Sequence, residues 1–430
     1  MFKNSLFPLL LIFLCVTGCT VQQTTLDNTT RSPGSNLKNA FAVAPQVAAP
    51  RYIQSIQLYR SGSPDNPPII QLGESEQLVL EFDYLGDAAK QFRIEVTHRN
   101  RNWEESALAP GFYLSGFKTT YLSGGLKSLS RPPSYFHFTY AFPNQQLSFK
   151  ASGNYLLSVY NYDSGDLLFS LPFFITENEG ILDTNIESVF ARRQDLRRQS
   201  QLFSRYTYPE FVEFPRFDLS FQYVPNQFWG RARQVEFFDT STPGQVHFHL
   251  GQDQAFVSDY TFNLLDLSTL NAFGGQILSV EEGPVPPRVI LRRDVQNLDP
   301  DFSLPPGSPF GIPSDERDAS YASVSFRLET TGAIGSQQRI YLVGDFNNWT
   351  IHERNRMRYD ARSKWWKGQA LIKEGQYAYK YVLLRRGAID DLSLDQSFVP
   401  SAQEYITLVY YRDPTRNYDR LLQVDRIISN

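Results

Sequence analysis

Gln77-Leu78-Val79-Leu80-Glu81-Phe82 and Phe92-Arg93-Ile94-Glu95-Val96 alternate apolar and polar residues on a period of two. That period puts one set of side chains on a buried face and the other toward solvent, which is the signature of a half-buried strand. The pattern recurs along the chain, in Ile53-Gln54-Ser55-Ile56-Gln57-Leu58, Tyr155-Leu156-Leu157-Ser158-Val159-Tyr160, Val246-His247-Phe248-His249-Leu250 and Ala322-Ser323-Val324-Ser325-Phe326-Arg327-Leu328. Turn residues separate the runs: Asp163-Ser164-Gly165-Asp166, Gly274-Gly275 and Glu374-Gly375. Many short strands at regular spacing imply an all-β fold of tandem immunoglobulin-like β-sandwich domains. The best helical stretch is 186–203, where Ile186, Val189, Phe190, Leu196 and Phe203 partly fit a 3.6-residue period. Its arginine doublets, Arg192-Arg193 and Arg197-Arg198, also fit an exposed strand or loop, or a contact with acidic loops of a partner.

Composition agrees with this reading. The 430 residues include 24 Tyr, 33 Phe and 5 Trp, too aromatic for a disordered chain and typical of strands. The length suits several domains. The formal net charge of −4 supplies no field that favours nucleic acid. Cys15 and Cys19 are the two cysteines, so there is no disulfide scaffold and no thiol-rich zinc site.

The N-terminus reads as a targeting signal. Lys3 gives a positive start, and Leu6 to Val16 is an apolar run too short to span a bilayer. Val16-Thr17-Gly18-Cys19 then matches a bacterial lipoprotein signal, with cleavage after Gly18 and lipid on Cys19. Residues 19–50, rich in Thr, Asn, Ser, Ala and Pro, read as a flexible tether between membrane and body. Composition shifts place one unit at 51–178 and a second at 179–300. A Pro/Gly-rich linker at 301–318, with Pro305, Pro306, Gly307, Pro309, Gly311 and Pro313, precedes a third unit at 319–430.

Catalytic patterns fail in turn. There is no Gly-x-Ser-x-Gly elbow, phosphate loop or dinucleotide glycine motif. His98 and His137 lack a matching nucleophile in sequence and read as structural. His247-x-His249 puts two rings on one strand face, about 7 Å apart. No Cys- or His-rich stretch supplies a further ligand, so no metal or cofactor is expected. Glu104-Glu105 and Asp390-Asp391 are adjacent pairs, which a strand would point to opposite faces. The expectation is a protein that is not an enzyme.

Two resemblances sharpen the reading. His98-Arg99-Asn100-Arg101-Asn102-Trp103-Glu104-Glu105-Ser106-Ala107-Leu108, Gly111-Phe112-Tyr113-Leu114-Ser115-Gly116-Phe117, Phe142-Pro143-Asn144 and Ser152-Gly153-Asn154-Tyr155 follow one another in an ordered series. The series resembles the N-terminal domain of the type IX secretion system plug protein family of Bacteroidota, with Arg99 where that family has Cys. The resemblance implies a subunit that seals the periplasmic side of the outer-membrane translocon β-barrel, here with an added lipid anchor. Further on, Tyr341-Leu342-Val343-Gly344-Asp345-Phe346-Asn347-Asn348-Trp349 and Tyr377-Ala378-Tyr379-Lys380-Tyr381 resemble the glycogen-binding, early-set immunoglobulin-like module. In that module the residues at Trp349 and Lys380 stack on and hold a sugar. The usual second stacking Trp is replaced by Leu384-Arg385-Arg386-Gly387-Ala388. The competing readings are therefore a glycan-binding periplasmic or surface lipoprotein acting through this module, a hydrolase with an unseen site, and a paralogue of the plug with another role.

Overall fold

The computed structural model describes residues 37–64, 66–190, 198–270, 275–296, 317–331, 334–395 and 402–429. Gly18, Cys19, the arginines at 192, 193 and 197, and nearly all of the expected linker lie outside these residues. The described chain is all-β, in sandwich-type layers, with only short helical turns.

The first unit is two facing sheets. One runs in the order Ile53–Arg60, Leu78–Leu85, Tyr135–Phe142, Leu126–Lys127; the other runs Ile69–Gln71, Leu167–Thr176, Gly153–Asn161, Phe92–Arg99, Thr119–Leu122. Alternation decides what they bury: Phe92, Ile94 and Val96 point inward to meet Leu80, Phe82, Phe138 and Phe173. Asp163-Ser164-Gly165-Asp166 makes the tight turn into Leu167–Thr176, with Gly165 at φ 74°. Leu167–Thr176 is apolar on both faces because both are covered, one by this core and the other by the body, where Phe174 meets Trp229 with ring centroids 4.4 Å apart.

The remaining sheets do not respect the expected seams. Leu219–Pro225 pairs along its whole length with Glu404–Arg412, from Leu219↔Tyr411 to Pro225↔Tyr405, and Asp419–Ile428 completes that edge. The final hairpin therefore packs with the middle of the chain, against Ile181–Phe190, Arg198–Thr207 and Gln245–His249. Conversely, Asn263–Asp266 pairs with Gln376–Arg385, and Arg288–Leu291 and Asp294–Val295 pair in parallel with Tyr321–Glu329. The second and third units at 179–300 and 319–430 are corrected to two interleaved sandwiches. The reason is cohesive: Phe221, Tyr223, Tyr405 and Val409 share one core that neither segment could close alone.

Two local expectations are also corrected. The described residues of the 186–203 stretch are strand rather than helix: Ile181–Phe190 pairs with Arg198–Thr207, with Ile186 opposite Leu202. Leu202, Ser204 and Tyr206 are buried on one face at a period of two, and that overrides the partial helical spacing. The tether expected at 19–50 does not run through 40–43, because Ala40, Phe41 and Val43 are buried in the body. Lys38 N–H donates to Gly387 O at 3.0 Å, and Gly230 N–H to Phe41 O at 3.0 Å. A Cβ on Gly230 would collide with the carbonyl oxygens of Ala40 and Ala42, so only glycine lets the strap lie this close.

Candidate functional site

Chemistry-bearing side chains concentrate at three joints where the sandwiches meet. At the first, Asp83 leaves its strand on the face away from the first unit's core and is fully buried. Its Oδ2 accepts from Lys373 Nζ at 2.9 Å and Tyr321 OH at 2.7 Å, both across the joint. Its Oδ1 lies 2.8 Å from His137 Nδ1. Ser55 Oγ is 2.7 Å from Tyr321 OH, and Lys373 Nζ sits 4.5 Å from the Tyr135 ring centre. Burial first, and the Asp83 charge second, push the Tyr321 phenol well above its ordinary range, so it stays a donor.

The second joint ties the first unit to the final hairpin. Asp419, 2% exposed, accepts from Arg101 N at 3.0 Å, Arg101 Nη1 at 3.0 Å and Arg412 Nη1 at 3.2 Å. Glu177 accepts from Arg420 Nε at 2.8 Å, and Tyr410 OH donates to Asn154 Oδ1 at 2.8 Å. His98 Nε2 is 3.0 Å from Ser152 O, and its ring packs edge-on to Tyr155 and Tyr418. Burial pulls its pKa down to about 4, against a smaller upward pull from the Ser152 carbonyl and Asp419. His98 is thus a neutral packing residue, in a site where Gly153 at φ 136° leaves no room for a Cβ beside Nε2.

The third joint holds the residues singled out for sugar binding. Trp349 is 8% exposed, and its ring centroid lies 5.5 Å from Phe41, 5.1 Å from Phe228 and 5.4 Å from Phe262. Its Nε1–H donates to Asp345 Oδ1 at 2.9 Å. Lys380 is 4% exposed and donates to Thr261 O and Asp395 Oδ2, each at 2.6 Å. The two expected sugar-contact residues are brought into one cluster, but the strap at 40–43 and Phe228 cover it. They pack an internal joint rather than present an open platform. Nearby, Arg231 Nη1 donates to Asp391 Oδ2 at 2.6 Å, and Tyr260 OH bonds the same carboxylate. Burial alone would raise the Asp391 pKa; Arg231 and Lys380 outweigh it and hold the carboxyl below its usual value.

The other candidates scatter. His247 and His249 are exposed on one strand face, and no metal-holding group of three or more His, Cys, Asp or Glu occurs among the described residues. Glu105 pairs with exposed geometry to Arg99 at 3.7 Å, and Asp390 pairs with Arg385 at 3.0 Å. Sequence reasoning missed Asp83, Asp419, Glu177, Arg231 and Phe41. Only Phe41 carried a signal, as a large apolar residue in an otherwise small and polar stretch. No helix among the described residues is long and apolar enough to cross a membrane.

Comparison with known proteins follows the same division. Residues 53–177 match the family described as type 9 secretion system plug protein 1st domain. A hypothetical protein from Parabacteroides merdae ATCC 43184 shares the fold at a TM-score of 0.79 and 22% identity, over 89% of this chain and 99% of that one. Native alpha-2-macroglobulin of E. coli aligns at a TM-score of 0.17 and 10% identity, over 89% of this chain and 23% of that one, too low to carry an argument. No curated protein matches the sequence. The family match supports a type IX secretion plug-like protein of the cell envelope.

Proposed function

We propose that this chain is a lipid-anchored plug that seals the periplasmic side of the type IX outer-membrane translocon. The match of 53–177 to the plug domain carries the reading. Cleavage after Gly18 and acylation of Cys19 would hold the body at the outer membrane, on the periplasmic face, through the residues before the strap. The mechanism is steric: a body wide and stiff enough to close an aqueous barrel, displaced when a substrate carrier arrives. The three joints favour it, because each couples the first unit or the strap to the rest through a buried carboxylate paired with a cation, which resists hinge motion. Sugar binding at Trp349 and Lys380 draws no support from residues so enclosed.

The test is capture from detergent-solubilised envelope with a C-terminally tagged chain at native expression. One very large β-barrel protein should co-purify near stoichiometry. Cys19→Ser should move the chain from the membrane to the soluble periplasmic fraction. Recovery without any barrel would sink the plug reading.

A further inference from the structure

A groove of about 1700 Å³ runs between the first unit and the outer face of the six-stranded sheet built on Tyr321–Glu329 and Trp365–Lys373. Seven Arg and Lys side chains, among them Arg51, Arg327, Arg354 and Arg358, line it against two carboxylates, Glu353 and Asp360. Lys367 is paired with Asp360, Arg356 with Glu353, and Arg288 with Glu281 outside the lining. Arg51, Arg327, Arg354 and Arg358 have no carboxylate within ion-pair distance among the described residues; Arg327 and Arg354 spend donors on the carbonyls of Leu291 and Ala49. Carbonyls satisfy donors without cancelling charge.

The arrangement costs stability. Arg327 lies directly opposite Lys367, and Lys367 directly opposite Arg358, so three cations stand in one row across adjacent strands. Like charges in that relation repel. In the turn at Glu353–Asn355, which packs beside the sheet and reaches Ala49, burial and then the nearby Arg51 charge hold the Arg354 pKa below its ordinary value. An anionic occupant would relieve both repulsions. Arg327 and Arg358 are two strand spacings apart, roughly 10 Å, within reach of carboxylates two to four residues apart on an extended chain. Further along the same two strands lie Ser323, Ser325 and Gln369, which both donate and accept, as peptide amides require; Gln369 Nε2 donates to Ser323 Oγ. Stacking surfaces for bases are poor: Tyr359 packs edge-on to the buried Trp366.

We propose that this groove binds an extended acidic peptide segment of a partner protein, its carboxylates seated on Arg327 and Arg358 on the sheet and on Arg51 and Arg354 beside it. The proposal is independent of the translocon reading and survives its failure.

The test uses the full chain and a fluorescein-labelled peptide of alternating Glu and Ser, followed by anisotropy. The Glu peptide should bind, weaken as salt rises, and bind far better than the same peptide with Gln for Glu. R327S/R358S should weaken it about tenfold or more. R131S/R205S removes the same charge from exposed sites outside the groove and should leave affinity within about twofold. If R327S/R358S unfolds early, R51Q serves instead, with a smaller loss. Equal binding of Glu and Gln peptides overturns the proposal. So does an equal loss in R131S/R205S, which would mean a general field rather than a groove. Displacement of the peptide by inorganic phosphate or an oligo-thymidylate that binds more tightly would assign the groove to phosphate anions instead.

Discussion

Residues 53–177 build both of their sheets from their own sequence, whereas the rest of the body borrows strands across the chain. In the first unit, every strand of the core finds its partner within that span. Beyond it, a strand at 219–225 waits for partners at 404–412, and one at 263–266 for partners at 376–379. A contiguous unit can close its core early and locally; an interleaved pair cannot, because its pairings carry the entropy of long loops. The difference predicts where damage stays local and where it spreads. It also makes the joints, rather than the cores, the places at which the two plans are forced into one body.

The most damaging single change should be Asp83→Ala. It removes the carboxylate shared by Lys373, Tyr321 and His137, and leaves Lys373, 5% exposed, charged and buried without its partner. Breaking one side of a buried pair costs about 3–5 kcal/mol. If the joint makes one piece of two plans, thermal unfolding followed by circular dichroism shows the whole transition moving down. If the first unit is an independent bead, the transition splits instead, with one arm unmoved. D83A with an unchanged midpoint would break the comparison altogether.

The same contrast explains what could be read in advance. The alternation at 77–82 and 92–96 and the turn at 163–166 are local signals, and the structure keeps them. The hairpin at 404–428 is rich in β-branched and aromatic residues, but nothing in its sequence says that its partner lies at 219–225. Pairing over such a separation has no turn chemistry to announce it. The joints were hidden for a related reason. Asp83 and Asp419 look like ordinary outward-facing charges until a second sandwich covers them. Trp349 was legible as an important residue and illegible in role, since only the strap from 40–43 and Phe228 decide whether its ring meets sugar or protein.

Trp349→Ala sharpens that point inside the interleaved part. Truncating a buried Trp with three ring neighbours costs about 3 kcal/mol. The loss should appear as a lower midpoint and as early protease cleavage near Phe41, whose covering role depends on the ring beneath it. Because the effect is on packing, soluble glycogen should shift neither the wild-type nor the variant midpoint. A wild-type midpoint that rises with glycogen would restore the sugar-binding reading.

The smallest effect expected is titration of His98 at the second joint. Its folded pKa is about 4, depressed chiefly by burial, against an ordinary value of 6.5. The folded state therefore binds fewer protons than the unfolded chain between those values, and stability must fall as pH drops through that window. The neutral ring's contribution is intact above pH 6.5; at pH 5 about 2 kcal/mol of it is gone. Buried acids with raised pKa values, Asp294 and Glu404, pull in the opposite direction, so the absolute pH curve mixes several groups. The difference between wild type and His98→Gln isolates the ring, since the amide keeps a donor for Ser152 O and does not titrate. Denaturant midpoints of the two proteins should converge as pH falls from 7 to 5, because only the wild type loses stability through this ring. Parallel curves would mean that His98 is hydrated or charged in the folded chain, and that the joint between the contiguous unit and the borrowed hairpin is looser than its packing implies.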